Sequence, residues 1–419
     1  MTFIYIPLCK VNPWTQFLIA TSIERSIERG IDILVTPGNR ELSAELEAQC
    51  CTVVFKVLKQ FIGSIRNLSV VVHNMTTIAE ILPYLAGNAE RLQSLNLVVL
   101  CSDPDAAFPV LQPLQLMIKA PQIRRVEVGS VPITVSQSDV SSAQELAIRS
   151  RVSCIDRSCC GILHFAADFY RLRRLELHDM SYDFKLDFMS SYFKLNTAQG
   201  IRRTIRFEFL EELALGCVDA DFIEEVLINI EAPNLKKVII TPNYSQHFSA
   251  QNELRDKFPR LECVVINNAS PQLLRCIYCL LEPKDIYLRH LESIDDILLD
   301  LSSGSRIPCC KTAKKMQIWG TNVSAEKLHI LVEIRKSASC ALRELKVHTG
   351  IDNCLWGDRS WFQENVETFS WETVLDLASL EHNRRIQLSC ERIKDEQKDE
   401  VLSRPLTVIH RENSVFWSY

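Results

Sequence analysis

Cys276 and Cys279 stand three apart, the spacing at which two thiolates grip a zinc ion or pass through a disulfide cycle. A zinc site needs further ligands at comparable spacing, and neither a second Cys-x-x-Cys nor a His pair supplies them. The pair also falls inside Leu273 to Leu281, which reads as an apolar helix, so its thiols are read as core. The neighbours Cys50 and Cys51, Cys159 and Cys160, and Cys309 and Cys310 cannot easily aim two sulfurs at one metal, and are read the same way. No glycine-rich phosphate loop, HExxH, GxSxG or kinase set occurs, and 12 glycines are few for an enzyme built on such loops. The chain is read as non-enzymatic, with no catalytic residue, cofactor or metal assigned. An enzyme with a scattered site is the disfavoured alternative.

The residues with a more regular placement are charged. Arg125, Arg174, Lys237 and Lys315 each occupy the second x of an apolar-x-x-apolar-x-apolar unit, and Glu127 and Glu176 follow two residues on. His178 and Trp319 come one step past the last apolar position of their units. In an extended segment the last two apolar residues of a unit point to one face, so these side chains point to the other. Stacked side by side, they would form a basic ladder, interrupted by Glu212 and Cys263, with Ile239 and Val265 as exposed apolar residues on the same face. That face is the candidate protein-binding surface, with Ile239, Val265 and Trp319 as its anchors.

The unit recurs along the chain. Ile65-x-x-Leu68-x-Val70 is followed by units opening at Leu92, Ile123, Leu172, Leu210, Leu235, Leu261, Ala313 and Leu342, with a weaker Ile286-x-Leu288 among them. Most spacings are about 22 to 31 residues, which brackets the leucine-rich-repeat period, and two are longer at about 49 and 38. Amphipathic segments lie between the units. Thr77 to Glu80 has a capping-box form, Ser270-Pro271 opens another helix, Asp221 precedes Phe222 and Ile223, and Ser324 precedes Leu328 and Leu331. Short strands alternating with helices predict an α/β fold: an irregular leucine-rich-repeat-like solenoid, a curved parallel sheet with helices on its convex side.

Around this core, residues 1–62 read as an adapting region. A helix carries Trp14, Phe17, Leu18 and Ile23 as one amphipathic set, a strand covers Ile31 to Val35, and a helix from about Ser43 to Phe61 buries Leu46, Val53, Val54, Val57, Leu58 and Phe61. Residues 63–350 are the repeat body. Val131 to Gly161 and Ser181 to Ile205 read as irregular insertions within it. Residues 351–419 read as an aromatic cap and charged tail: Trp356, Trp361, Trp371 and Trp417, a helix from Trp371 to Leu380, a strand at Ile386-x-Leu388, and a solvated segment from Glu391 to Glu400.

Composition narrows the function classes. A net charge of -5 over 419 residues argues against an extended nucleic-acid surface. No apolar run has the length of a membrane span, and Met1 to Pro13 lack the features of a signal peptide. The sixteen cysteines are then expected as reduced thiols in cytoplasm or nucleus.

The order Trp14, Leu18, Arg25-Ser26, Ile31-Asp32-Ile33, a helix, Ile65-Arg66-Asn67-Leu68, then Ala89-Glu90-Arg91-Leu92-Gln93-Ser94-Leu95-Asn96-Leu97 resembles fungal (basidiomycete-type) F-box proteins with degenerate leucine-rich repeats. The resemblance is clearest over residues 14–130. It implies a substrate receptor of a cullin-RING ubiquitin ligase, in which the F-box grips the Skp adaptor and the repeats hold a protein target on the concave face. The F-box of that family precedes the tryptophan region, where this chain has Met1 to Pro13. The expectation is therefore a receptor or an F-box-less relic of one, with a freestanding scaffold as the alternative within binding.

Overall fold

Each unit opens with a turn whose first apolar residue is pinned inward. Leu92 N–H donates to the Ala89 carbonyl at 3.1 Å, and Ile123, Leu172, Leu235 and Leu261 donate in the same way to the residue three before them. Two successive N–H groups then share one carbonyl of the preceding unit: Lys236 and Lys237 both donate to the Glu211 oxygen, at 2.9 and 3.0 Å. The same fork recurs at the carbonyls of Gln93, Arg124, Arg173, Lys236, Lys284 and Lys314. It satisfies backbone donors where the turn becomes a strand and fixes the stagger from unit to unit.

The computed structural model describes residues 2–26, 30–38, 42–100, 114–149 apart from 132 and 136–138, 159–179, 204–242, 257–267, 281–289, 311–350 apart from 321–322, 352 and 354–373, with isolated positions 273, 277 and 278 and the backbone of 408–410. They fall in two compact units, Met1–Leu172 with Ile393–Tyr419, and Arg173–Arg392.

In the first unit six parallel strands stand side by side in chain order: β1 (Thr2–Pro7), β2 (Ile31–Thr36), β3 (Ile65–Val72), β4 (Ser94–Val99), β5 (Arg125–Gly129) and β6 (Glu145–Arg149). Antiparallel to β1 runs a short outer strand at Val408–His410. Three helices precede or separate the early strands: α1 (Pro13–Glu24), α2 (Ala44–Leu58) and α3 (Met75–Leu85); α4 (Cys159–Ala167) follows β6. Asn12 starts α1 by accepting from Trp14 and Thr15 N–H, with Pro13 at the first helical position and Thr15 Oγ1 accepting back from Asn12 N–H. Ser43 caps α2 through Leu46 N–H.

The approach to α3 is held from α2. The predicted capping box at Thr77 to Glu80 does not form; the N-cap is Asn74, whose side chain makes no capping bond to the helix. Glu47 of α2, fully buried, accepts instead from His73 N–H, Asn74 N–H, Asn74 Nδ2 and Thr77 Oγ1, at 2.8 to 3.0 Å. Four donors satisfy a carboxylate that burial alone would penalise.

In the second unit eight parallel strands again follow chain order: β7 (Arg174–His178), β8 (Glu212–Val218), β9 (Lys237–Pro242), β10 (Cys263–Asn267), β11 (Asp285–Arg289), β12 (Lys315–Gly320), β13 (Glu344–Thr349) and β14 (Thr368–Thr373). Helix α5 (Ala220–Asn229) follows β8, α6 (Ala325–Ser337) joins β12 to β13, and α7 (Trp356–Asn365) joins β13 to β14. Ser324 caps α6 through Lys327 N–H. Buried Arg335 reaches from α6 to the Ala313 carbonyl at 2.8 Å, holding the turn ahead of β12.

Right-handed crossovers between strands that advance in one direction place the connecting helices on one face of the sheet. On that face the rows Leu213, Val238, Val264, Ile286, Met316, Leu345 and Leu215, Ile240, Ile266, Leu288, Ile318, Val347 run across the strands, all buried. Each such side chain contributes roughly 1.5 to 3 kcal/mol on removal from water. The architecture is α/β with a large parallel sheet, as the alternation of units predicts.

Several expectations are corrected. Val131 to Gly161 is not an insertion throughout: it contains β6, whose unit is Ala143-x-x-Leu146-x-Ile148. Trp371 lies in strand β14, in the unit Val366-x-x-Phe369-x-Trp371, with Glu372 and Thr373 after it, rather than opening a helix; residues 374–380 of that predicted helix and the Ile386 strand lie outside the described residues, as do 181–203, Cys276, Cys279 and Trp417. In α1 it is Ile19 and Ile23 that face the core, while Trp14 is 76% and Phe17 63% exposed and Leu18 is exposed with them. Leu46, expected inside, is exposed on α2. In the cap, Trp371 is buried and Trp361 stacks on His329 at 4.1 Å, whereas Trp356 is exposed. No helix among the described residues is long and apolar enough to cross a membrane.

Candidate binding face

The face turned away from the helices is built from every second strand residue, and the register aligns these residues in rows. In the first unit one row reads Asp32, Asn67, Ser94, Arg125, Glu145 and the next Leu34, Ser69, Asn96, Glu127, Ala147. Asp32 accepts both Nε and Nη2 of Arg66, at 3.0 and 2.7 Å, and Nδ2 of Asn67 at 2.8 Å. Arg125 meets Glu145 at 3.3 Å and Glu127 at 3.7 Å, and Arg149 meets Glu127 at 2.7 Å. Of the predicted site, Arg125 and Glu127 stand here.

In the second unit three rows cross the strands. The first reads Arg174, Glu212, Lys237, Cys263, Asp285, Lys315, Glu344. It alternates in sign rather than forming a basic ladder, because the register sets an acid beside each base. Glu212 lies 3.5 Å from Arg174 and 3.3 Å from Lys237, and Lys315 lies 3.6 Å from Glu344. Burial raises the Asp285 carboxyl, against the pull of Lys315. Burial likewise pushes the Cys263 thiol up to about 11, away from the range of a reactive thiolate.

The second row reads Glu176, Ala214, Ile239, Val265, Tyr287, Gln317, Lys346. Glu176 pairs with Arg174 at 2.7 Å and with His178 at 3.3 Å, while Lys346 sits 2.6 Å from Glu344 and holds that carboxyl below its ordinary range. Between these charged ends, Ala214, Ile239, Val265 and Tyr287 form an apolar track across four strands. Ile239 and Tyr287 are half-buried. Val265, expected exposed, is 5% exposed: a short branched side chain between larger neighbours about 4.8 Å away on either side is covered by them.

The third row reads His178, Gly216, Thr241, Asn267, Arg289, Trp319, His348, Glu372. Gly216 leaves room for the His178 ring, which a Cβ there would strike. Asn267 Nδ2 donates to Thr241 Oγ1 at 2.8 Å. Arg289 lies with its guanidinium 5.8 Å from the Trp319 ring, which stacks on His348 at 4.0 Å, and His348 Nδ1 faces Glu372 at 3.2 Å. Gln317 Nε2 stands 2.9 Å from His348 Nε2. Burial depresses the His348 pKa, with Glu372 opposing. Among the described residues neither Arg289 Nε nor Trp319 Nε1 has a hydrogen-bond acceptor, and both atoms are buried; a donor left so costs about 1 to 3 kcal/mol.

The structure thus brings Arg174, Glu176 and His178 into one cluster and sets Ile239 beside Val265, while Lys315 and Trp319 partner residues the sequence reading left out. Those are Glu344, Arg289 and His348, with Glu212 entering as the shared acid between Arg174 and Lys237. The signal for two of them was present: Arg289 and His348 occupy the same position past the last apolar residue as His178 and Trp319. Among the described residues no group of three or more His, Cys, Asp or Glu side chains is placed to hold a metal. The rows offer an apolar track bounded by fixed charges. No family model matches this chain and no curated protein matches it, so its relation to other proteins rests on its own residues.

Proposed function

We propose that this protein is a non-enzymatic recognition module of the leucine-rich-repeat type, curved so that the helix-free face is concave, and that it serves as an F-box-type substrate receptor or an F-box-less relic of one. One observation carries the binding role: an apolar track, Ala214, Ile239, Val265 and Tyr287, runs across a sheet face between a row of paired charges and a row of mixed polar and aromatic residues. A solvated face has no need of such a track. The single-file strand order and the repeated turn support the repeat reading. The exposed stripe of Trp14, Phe17 and Leu18 on α1, in the segment that resembles the family, supports a second surface for an adaptor.

The test is affinity capture of the full chain from a fungal lysate, beside an Ile239→Asp variant. Ile239 is preferred to Arg174 or Lys237 because reversing either base would crowd acids around Glu212 and unsettle the fold. Capture of the Skp adaptor and cullin by both forms, with other proteins lost only from the variant, is the expected result. Proteins lost from the variant with no adaptor or cullin would make the chain a freestanding scaffold. Identical captures by both forms would refute the face as the binding surface.

A further inference from the structure

On the helix-free face of the second unit the described bases are paired with carboxylates, save Arg289. Arg174 has Glu176 and Glu212, Lys237 has Glu212, Lys315 and Lys346 have Glu344, and the two histidines have Glu176 and Glu372. Among the described residues Arg289 has no carboxylate partner; its contact is the face of Trp319. Its described register neighbours carry no charge. The cross-strand neighbours are Asn267 and Trp319, and the row behind holds Val265, Tyr287 and Gln317.

The guanidinium is also held in place. Trp319 carries it, and Trp319 is itself stacked on a histidine fixed by Gln317 and Glu372. A fixed, half-buried guanidinium with no carboxylate partner among the described residues is an anion site already oriented for its ligand. A single such base matches the one charge of a carboxylate; a phosphoryl group is usually met by several bases together.

Resting on the protein-recognition reading above, we propose that Arg289 anchors the side-chain carboxylate of an Asp or Glu in an extended segment of a partner protein. A large apolar side chain of the same segment lies on the floor made by Val265 between Ile239 and Tyr287. One strand spacing of about 4.8 Å and one two-residue step of about 6.6 Å separate Val265 from Arg289, roughly 8 Å in all. Side chains two residues apart on an extended chain lie close to that separation and point the same way. The sequence recognised is therefore an apolar residue and an acid with one residue between them.

The probe is a displayed library of random twelve-residue peptides, both ends blocked so that only side-chain carboxylates are offered, selected on the full chain. Enrichment of apolar-x-acid or acid-x-apolar peptides is expected, with binding weakened roughly ten- to hundredfold by Arg289→Ala. Arg289→Lys should recover only part of it, since the flat fork is lost. Arg289→Glu should accept peptides in which Lys replaces the acid, a gain that damage to the fold could not produce. Unchanged thermal midpoints confirm that the variants are folded. Enriched peptides that lose binding in Ile239→Asp yet ignore Arg289→Ala would overturn the anchor and leave the face reading intact. Peptides indifferent to both variants would overturn both.

Discussion

His348 shows how much of this face is decided by contacts a single residue makes. Trp319 covers its ring, Gln317 and Glu372 occupy its two nitrogens, and Lys346 and Arg289 add positive charge nearby. With the amide of Gln317 donating to Nε2, the ring is neutral and gives its Nδ1 proton to Glu372. Burial keeps the folded pKa below the ordinary value near 6.5. Above that value both states hold the ring neutral and stability is full. As pH falls below it, the unfolded chain takes up a proton that the folded one resists, and stability declines. Thermal unfolding at a series of pH values from about 7.5 to 5 should therefore show the wild type losing more stability toward acid than His348→Gln. A difference that stays constant with pH would contradict this. At this scale the sequence revealed which residues face away from the helices, because period two shows that directly. It did not reveal neighbours: whether Lys237 meets Glu212 depends on register between units some 25 residues apart, which no local pattern contains.

The repeated unit is the element on which the fold depends, and its first apolar position is the one that a strand-based reading undervalues. Leu235 lies before β9, yet it is fully buried and its N–H closes the turn. Leu235→Ala should cost about 2 to 5 kcal/mol, while Lys236→Ala beside it, on an exposed side chain, should stay within about 0.5. Urea unfolding followed by circular dichroism measures both, and equal effects would remove the turn from its structural role. The same position explains what the sequence hid. Ala143 and Val366 fill it in β6 and β14, and a small or unfamiliar residue in that first place made both units easy to pass over, although Ala313 shows that alanine suffices. In β1, Phe3, Tyr5 and Ile4, Ile6 alternate in the manner of a strand, but nothing resembling the unit's opening turn announces it.

At the scale of the molecule, the chain divides into two compact bodies. Leu68 belongs to the first and Val264 to the second, and both are buried among strand neighbours. Leu68→Ala and Val264→Ala should shift different parts of a calorimetric unfolding profile, each lowering its own transition by a few degrees. A single transition moved equally by both would show one cooperative body. The charges follow the same logic of local closure: a net charge of -5 spread over alternating pairs leaves little far-reaching field. One feature breaks the modular plan. Because Glu47 of α2 accepts from the two residues ahead of α3 and from Thr77 in its first turn, exchanging either helix alone would break that contact. Repeats stacked only by their sides can be deleted, duplicated or swapped in evolution and in design. Here the neighbouring units are spliced by a carboxylate, and a chimera joined between them would leave four donors at the foot of α3 without their acceptor.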